Sequence, residues 1–161
     1  MRRIIKDRRI VEDVWQHLAD DAELVEGPVL VSLARWRQDE ALRARAGAVG
    51  VRLPNTLDLA TISADLPRWA LVALEFPKFA DGRAYSQARL LRERHGFRGE
   101  IRAVGDVLRD QLFFMARSGF DAFELRADRS LEDALQAFTE FSDSYQPAVD
   151  QPLPLYRRRS R

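Results

Sequence analysis

Charged residues at alternate positions in two short apolar runs are the first places to look for chemistry. Glu100-Ile101-Arg102-Ala103 and Glu124-Leu125-Arg126-Ala127 each set a carboxylate and a guanidinium two residues apart. In an extended strand that spacing puts both charges on one face and the aliphatic residues on the other. Glu75, inside an apolar run, and Arg52, inside another, continue the pattern. Glu75, Arg102, Glu124 and Arg126 then become neighbours on the inner face of adjacent strands. Charges taken out of water must pair. The arrangement reads either as a structural ion-pair layer or as an anion or acid/base pocket with guanidinium groups around a carboxylate.

The second candidate set lies in turns. Lys78, Asp81, Gly82 and Arg83 precede a helix, so free backbone N–H groups and two cations could hold a phosphate, sulfate or carboxylate. The plain alternative is that Asp81 caps the helix and Gly82 makes the turn. Gly105-Asp106 repeats the device, with Asp106 as a cap or as a carboxylate facing Arg83 or Lys78. Arg109 and Asp110 follow as an ion pair inside a helix. Neither phosphate-loop nor dinucleotide-binding glycine pattern is present, and no cofactor motif is evident.

Other chemistries are poorly supplied. The chain has no cysteine, which removes disulfides, thiolate catalysis and Cys-based metal ligation by its own residues. His17 and His95 are the only histidines and lack metal-ligand spacing, so no metal is expected. His95, before Gly96, reads as a cation at a helix C-terminus. Ser86 has no evident base beside it.

Elements must position these groups. Ile4–Lys6 and Ile10–Glu12 flank Asp7-Arg8-Arg9 as a hairpin or edge ribbon, with Trp15, Leu18 and Leu24 pinning the next segment to the core. Five apolar runs follow as strands: 29–33, 49–53, 70–76, 101–104 and 123–126. Helices are expected over 36–46, 57–66, 85–95, 108–117 and from Leu131 through Phe138 to Phe141, with Gly or Pro as stops. Residues 96–112 and 119–135 repeat each other at an offset of 22 to 24, which suggests one strand–helix unit per repeat. The polar face of the strands favours about five βα units in a parallel, partial TIM-barrel-like sheet with an N-terminal ribbon. A flavodoxin-like open sheet is the alternative, and it would demand apolar central strands.

A chain of 161 residues suits one domain, over 1–145, followed by an extended basic tail over 146–161. The net charge is +1, and without the four arginines among residues 157–161 the remainder carries −3. That balance is not the footprint of a nucleic-acid binder. No run is long enough to span a membrane, and the early charges do not suit a secretory signal. A cytoplasmic location is expected.

Several of these segments resemble a known family. Phe76-Pro77-Lys78-Phe79-Ala80-Asp81-Gly82-Arg83, Ala88-Arg89-Leu90-Leu91-Arg92, the run from Gly105 to Leu112, and Gly119-Phe120-Asp121-Ala122-Phe123 resemble bacterial domain-of-unknown-function family 934. Ile4–Asp7 and Ile10–Asp13 look like its N-terminal ribbon, and the resemblance runs to residue 146. Members of that family are usually encoded beside assimilatory sulfite reductase and are labelled as probable oxidoreductase-related proteins of sulfite reduction. The resemblance implies a pathway, sulfur assimilation, and a partner, sulfite reductase or its electron donor, without a mechanism. Members often carry Cys where Ser118 stands here, which argues against an essential thiol at that position. Three roles follow as expectations: an accessory protein of sulfite reduction, a small oxyanion-binding enzyme or sensor, and an oligomeric structural domain.

Overall fold

The computed structural model describes residues 2–78, 82–126 and 128–140. The tail at 146–161, Phe141 and Asp81 lie outside the described residues. Strands β1 (Arg3–Lys6) and β2 (Arg9–Glu12) form the expected ribbon, joined by a two-residue turn. Asp7 and Arg8 both take positive φ there, 51° and 64°. This is the twist that matches a hairpin's flanking strands. The ribbon is followed by β3 (Gln16–His17), β4 (Val29–Ser32), β5 (Val49–Leu53), β6 (Leu71–Phe76), β7 (Glu100–Gly105) and β8 (Ala122–Phe123). Strand β3 was not expected. It is two polar residues long, too short to carry an apolar or alternating pattern.

The eight strands form one sheet in the order β2-β1-β8-β7-β6-β5-β4-β3. Strands β3 to β8 are mutually parallel, and β1 runs antiparallel to β8. The order of the parallel strands never reverses. A flavodoxin-like sheet has such a reversal, so that alternative is set aside.

The first and last strands of this sheet are β2 and β3, which are consecutive in sequence. Four Cα steps separate Glu12 from Gln16, a reach of at most ~14 Å. In a flat eight-stranded sheet the two edges would stand about 34 Å apart. The sheet therefore curls until its edges approach, as a half-barrel with a concave face. Residues 13–15 cross that face.

Helical segments follow five of the strands. Helices α1 (Leu33–Gln38) and α2 (Glu40–Ala44) replace the single helix expected over 36–46. Asp39 divides them: its extended backbone ends α1, and its side chain accepts from Leu42 N to start α2. The helix expected over 57–66 is instead two 3-10 turns, Leu59–Ile62 and Leu66–Arg68. The i, i+3 spacing of Leu59 and Ile62 fits the three-residue turn as well as the α-helix. Helix α3 (Arg83–Glu93) follows β6. A 3-10 turn (Arg109–Gln111) and α4 (Leu112–Ser118) follow β7. Helices α5 (Leu131–Leu135) and α6 (Ala137–Glu140) follow β8 and divide what was expected as one helix.

The main core lies between the sheet and these helices. Val31, Val51, Val72, Leu74, Ile101 and Ala103 face it from the strands, and Ala88, Leu91, Leu112 and Met115 from the helices. Leu30, Leu71, Ala73 and Val104 form a second, smaller cluster with Trp15 on the concave face. Thus Trp15 and its neighbours plug the concave side.

Candidate functional site

The concave face holds a chain of ionic groups centred on Arg102. This side chain is 0% exposed, so it is stable only if its charge is matched. Its Nε and Nη2 straddle one Glu100 oxygen, each at 2.8 Å. Only the Nε contact is aligned as a hydrogen bond, leaving Nη2 with a charge contact alone. Arg102 Nη1 donates to Asp13 Oδ2 at 3.0 Å and approaches Glu124 Oε2 at 3.4 Å. The chain extends both ways. Lys6 reaches Glu100 at 3.0 Å. His17 Nε2 lies 3.0 Å from Asp13 Oδ2 and 3.8 Å from Glu124. Arg2 bonds Glu124. Cation and anion alternate from Lys6 through Glu100, Arg102 and Glu124 to Arg2, with Asp13 a branch on Arg102.

The shifts in protonation follow this geometry. Burial alone would raise the Asp13 carboxyl, but hydrogen bonds from His17 and Arg102, with the Arg102 charge, outweigh it. They hold it well below the usual carboxylate range. Burial likewise disfavours the Arg102 charge, and Asp13 and Glu100 more than restore it. The Glu100 hydrogen bond raises Lys6 despite partial burial.

Of the residues that spacing singled out, Arg102 and Glu124 lie together, and Glu100 shares their face. Spacing missed Asp13 and His17, which reach the site through the curl of the sheet, and Lys6 and Arg2, which the antiparallel pairing of β1 with β8 brings there. Arg126 does not join them. The repeat aligns Arg102 with Arg126, whereas the sheet pairs Arg102 with Ala122. The four-residue stagger keeps the same face but carries Arg126 past the end of β8. There it meets Asp106 at 3.4 Å and Asp128 at 3.3 Å. Glu75 shares the concave face with Arg52, near the C-terminal ends of β6 and β5. Both are half-buried, and neither finds a hydrogen-bond or ion-pair partner among the described residues.

The turn residues are dispersed. Lys78 and Arg83 are exposed, and Arg83 has a partner of its own. Gly82 precedes α3 with φ −87°, open to any residue, so the turn does not require glycine. Among the described residues no side chain caps α3. Asp106 is not a helix cap, since the next turn starts at Arg109 with Leu108 before it. Arg109 contacts the backbone and side chain of Asp133; its contact with Asp110 is longer, at 3.9 Å.

Asp13, His17 and Glu124 bring three ligand atoms within 4.8 Å of one another. The two carboxylates already receive the Arg102 and Arg2 guanidiniums. A divalent cation there would face two positive charges at close range. The same atoms are members of the ion-pair chain.

Fold and site define a class: an α/β protein with a curled, mostly parallel sheet and a charged concave face. The chain belongs to the family described as "Bacterial protein of unknown function (DUF934)", whose model matches residues 50–156. The match reaches ten residues beyond the expected limit at 146 and begins after the N-terminal ribbon. No curated protein and no solved structure matches the chain.

Proposed function

We propose that this chain is an accessory protein of assimilatory sulfite reduction that holds a small oxyanion at the C-terminal mouth of its curled sheet. The pathway rests on the resemblance set out above, together with sulfite reductase or its electron donor as partner. The binding part rests on one observation: the half-buried, uncommitted Arg52 beside uncommitted Glu75, at the strand ends where such sheets bind ligands. Arg52 supplies a fork for a tetrahedral or pyramidal oxyanion, and Glu75 is placed to exchange a proton with it. Six parallel strands in sequential order support reading the fold as a partial, TIM-barrel-like (β/α) sheet. Arg109 is engaged by Asp133, and Asp106 by Arg126. The mouth is therefore favoured over the Lys78–Arg83 turn.

Thermal-shift titration with sulfite, sulfate and phosphate tests the reading. Stabilisation by at least one anion, lost in Arg52→Ala and kept in Arg83→Ala, is expected. If none of the anions raises the midpoint, oxyanion binding is wrong. That outcome would favour the reading of the concave charges as a structural ion-pair layer. A deletion strain growing normally with sulfate or sulfite as sole sulfur source would remove the pathway.

A further inference from the structure

The opposite end of the sheet carries a second cavity, of about 350 Å³, at the N-terminal ends of β6 and β7. Its walls are Leu66, Pro67, Trp69, Phe97, His95 and Arg98, with Ser63 and two glycines at the rim. Leu66, Trp69 and Phe97 are buried and give the cavity an apolar wall. Arg98 is the one fixed charge around it, and no Asp or Glu among the described residues lines it. Among the described residues, the Trp69 indole N–H, in a side chain 4% exposed, has no acceptor. Among the described residues, His95 and Arg98 make no side-chain hydrogen bond or ion pair. A buried donor without an acceptor costs roughly 1–3 kcal/mol, so an acceptor at Trp69 would recover that cost.

We infer that this cavity is a binding site for a small carboxylate carrying an apolar body, such as an aryl or branched aliphatic acid. The apolar part lies against Leu66, Phe97 and the Trp69 ring. The carboxylate accepts from Trp69 Nε1 and is matched by the Arg98 guanidinium, with His95 as a further donor. Arg92 and Arg94, near the end of α3, offset the negative end of that helix. The volume is at the lower end for ligand pockets, which limits the guest to a small molecule. The site lies on the N-terminal side of the sheet, away from Arg52, and does not depend on the oxyanion reading.

The test uses phenylacetate on the full chain labelled with ¹⁵N. The chain has three tryptophans, so three indole N–H signals are expected, and the one missing in Trp69→Phe belongs to Trp69. That signal should shift downfield saturably as phenylacetate is added. Arg98→Ala, at an exposed position, should keep the fold and weaken the apparent affinity roughly tenfold. Arg52→Ala should bind phenylacetate like the parent. No movement of the Trp69 signal overturns the site. An equal response to inorganic sulfate overturns the ligand class, and unchanged affinity in Arg98→Ala overturns the carboxylate contact.

Discussion

Arg102 shows what a buried charge demands. Removing it would leave Asp13, Glu100 and Glu124 facing one another with only Lys6, His17 and Arg2 at the ends. Arg102→Met should lower unfolding free energy by about 3–5 kcal/mol, the cost of breaking a buried pair, read by urea titration. Two aspartates then predict opposite responses to acid. Asp13 is held below its ordinary value of about 3.9, so it binds protons less readily folded than unfolded. Its contribution is present above pH 4 and lost as pH falls below that. Asp121 is pushed up to about 6 by burial, against hydrogen bonding from Ile101 N and the Arg92 charge. It binds protons more readily when folded, so its contribution is full below pH 4 and is lost as pH rises through about 6. Asp121→Asn should flatten that decline by about 1–2 kcal/mol, allowing for its partial exposure. Asp13→Asn should flatten the acid limb instead. Unfolding curves between pH 3 and 7 decide both, and identical profiles for the variants and parent would refute the assignment.

At the scale of elements, the centre of the chain was legible and its margins were not. Strands β6 and β7 announce themselves as apolar runs, and Gly96 and Gly119 mark the ends of the following helices with φ of 64° and 123°. Sequence alternation placed Glu100 and Arg102 on one face because the pleat has a period of two. It could not place Asp13, which lies 89 residues from Arg102 and meets it only through the curl. Nor could it find β3, whose Gln16 and His17 look like loop. The repeat misled by one detail: similar sequence did not mean equal register, and Arg126 left the sheet. Gly105 is an element-level constraint the sequence hid. At φ 96° its backbone is left-handed, and a Cβ would stand 2.5 Å from the Phe76 carbonyl oxygen. That oxygen accepts from Asp106 N at 2.8 Å. Gly105→Ala should therefore cost at least about 2 kcal/mol, against almost nothing for Gly82→Ala, whose Cβ meets open space. Equal midpoints in thermal unfolding would show that the β7 end tolerates what its geometry forbids.

For the whole molecule, the decisive element is the three-residue linker between the two sheet edges. It holds β2 near β3, delivers Asp13 to Arg102 and seats Trp15 on the concave apolar cluster. The charged concave face is therefore a consequence of closure, not of any one strand. Lengthening the linker should loosen closure without disturbing the centre of the sheet. Inserting Gly-Gly between Val14 and Trp15 lets the edges separate, since each residue adds up to ~3.5 Å of reach. The edge amide of Leu18, which donates to Leu30 O at 3.0 Å, should then exchange faster with solvent. Amides of Val72 and Ile101, on strands flanked by partners on both sides, should keep their protection, because local opening at an edge does not require the central ladder to break. Asp13 should also lose part of its depression, so the acid limb of the stability profile should shrink in the same variant. If Leu18 and Val72 instead lose protection together, the linker is essential to the whole sheet and the edges do not open independently.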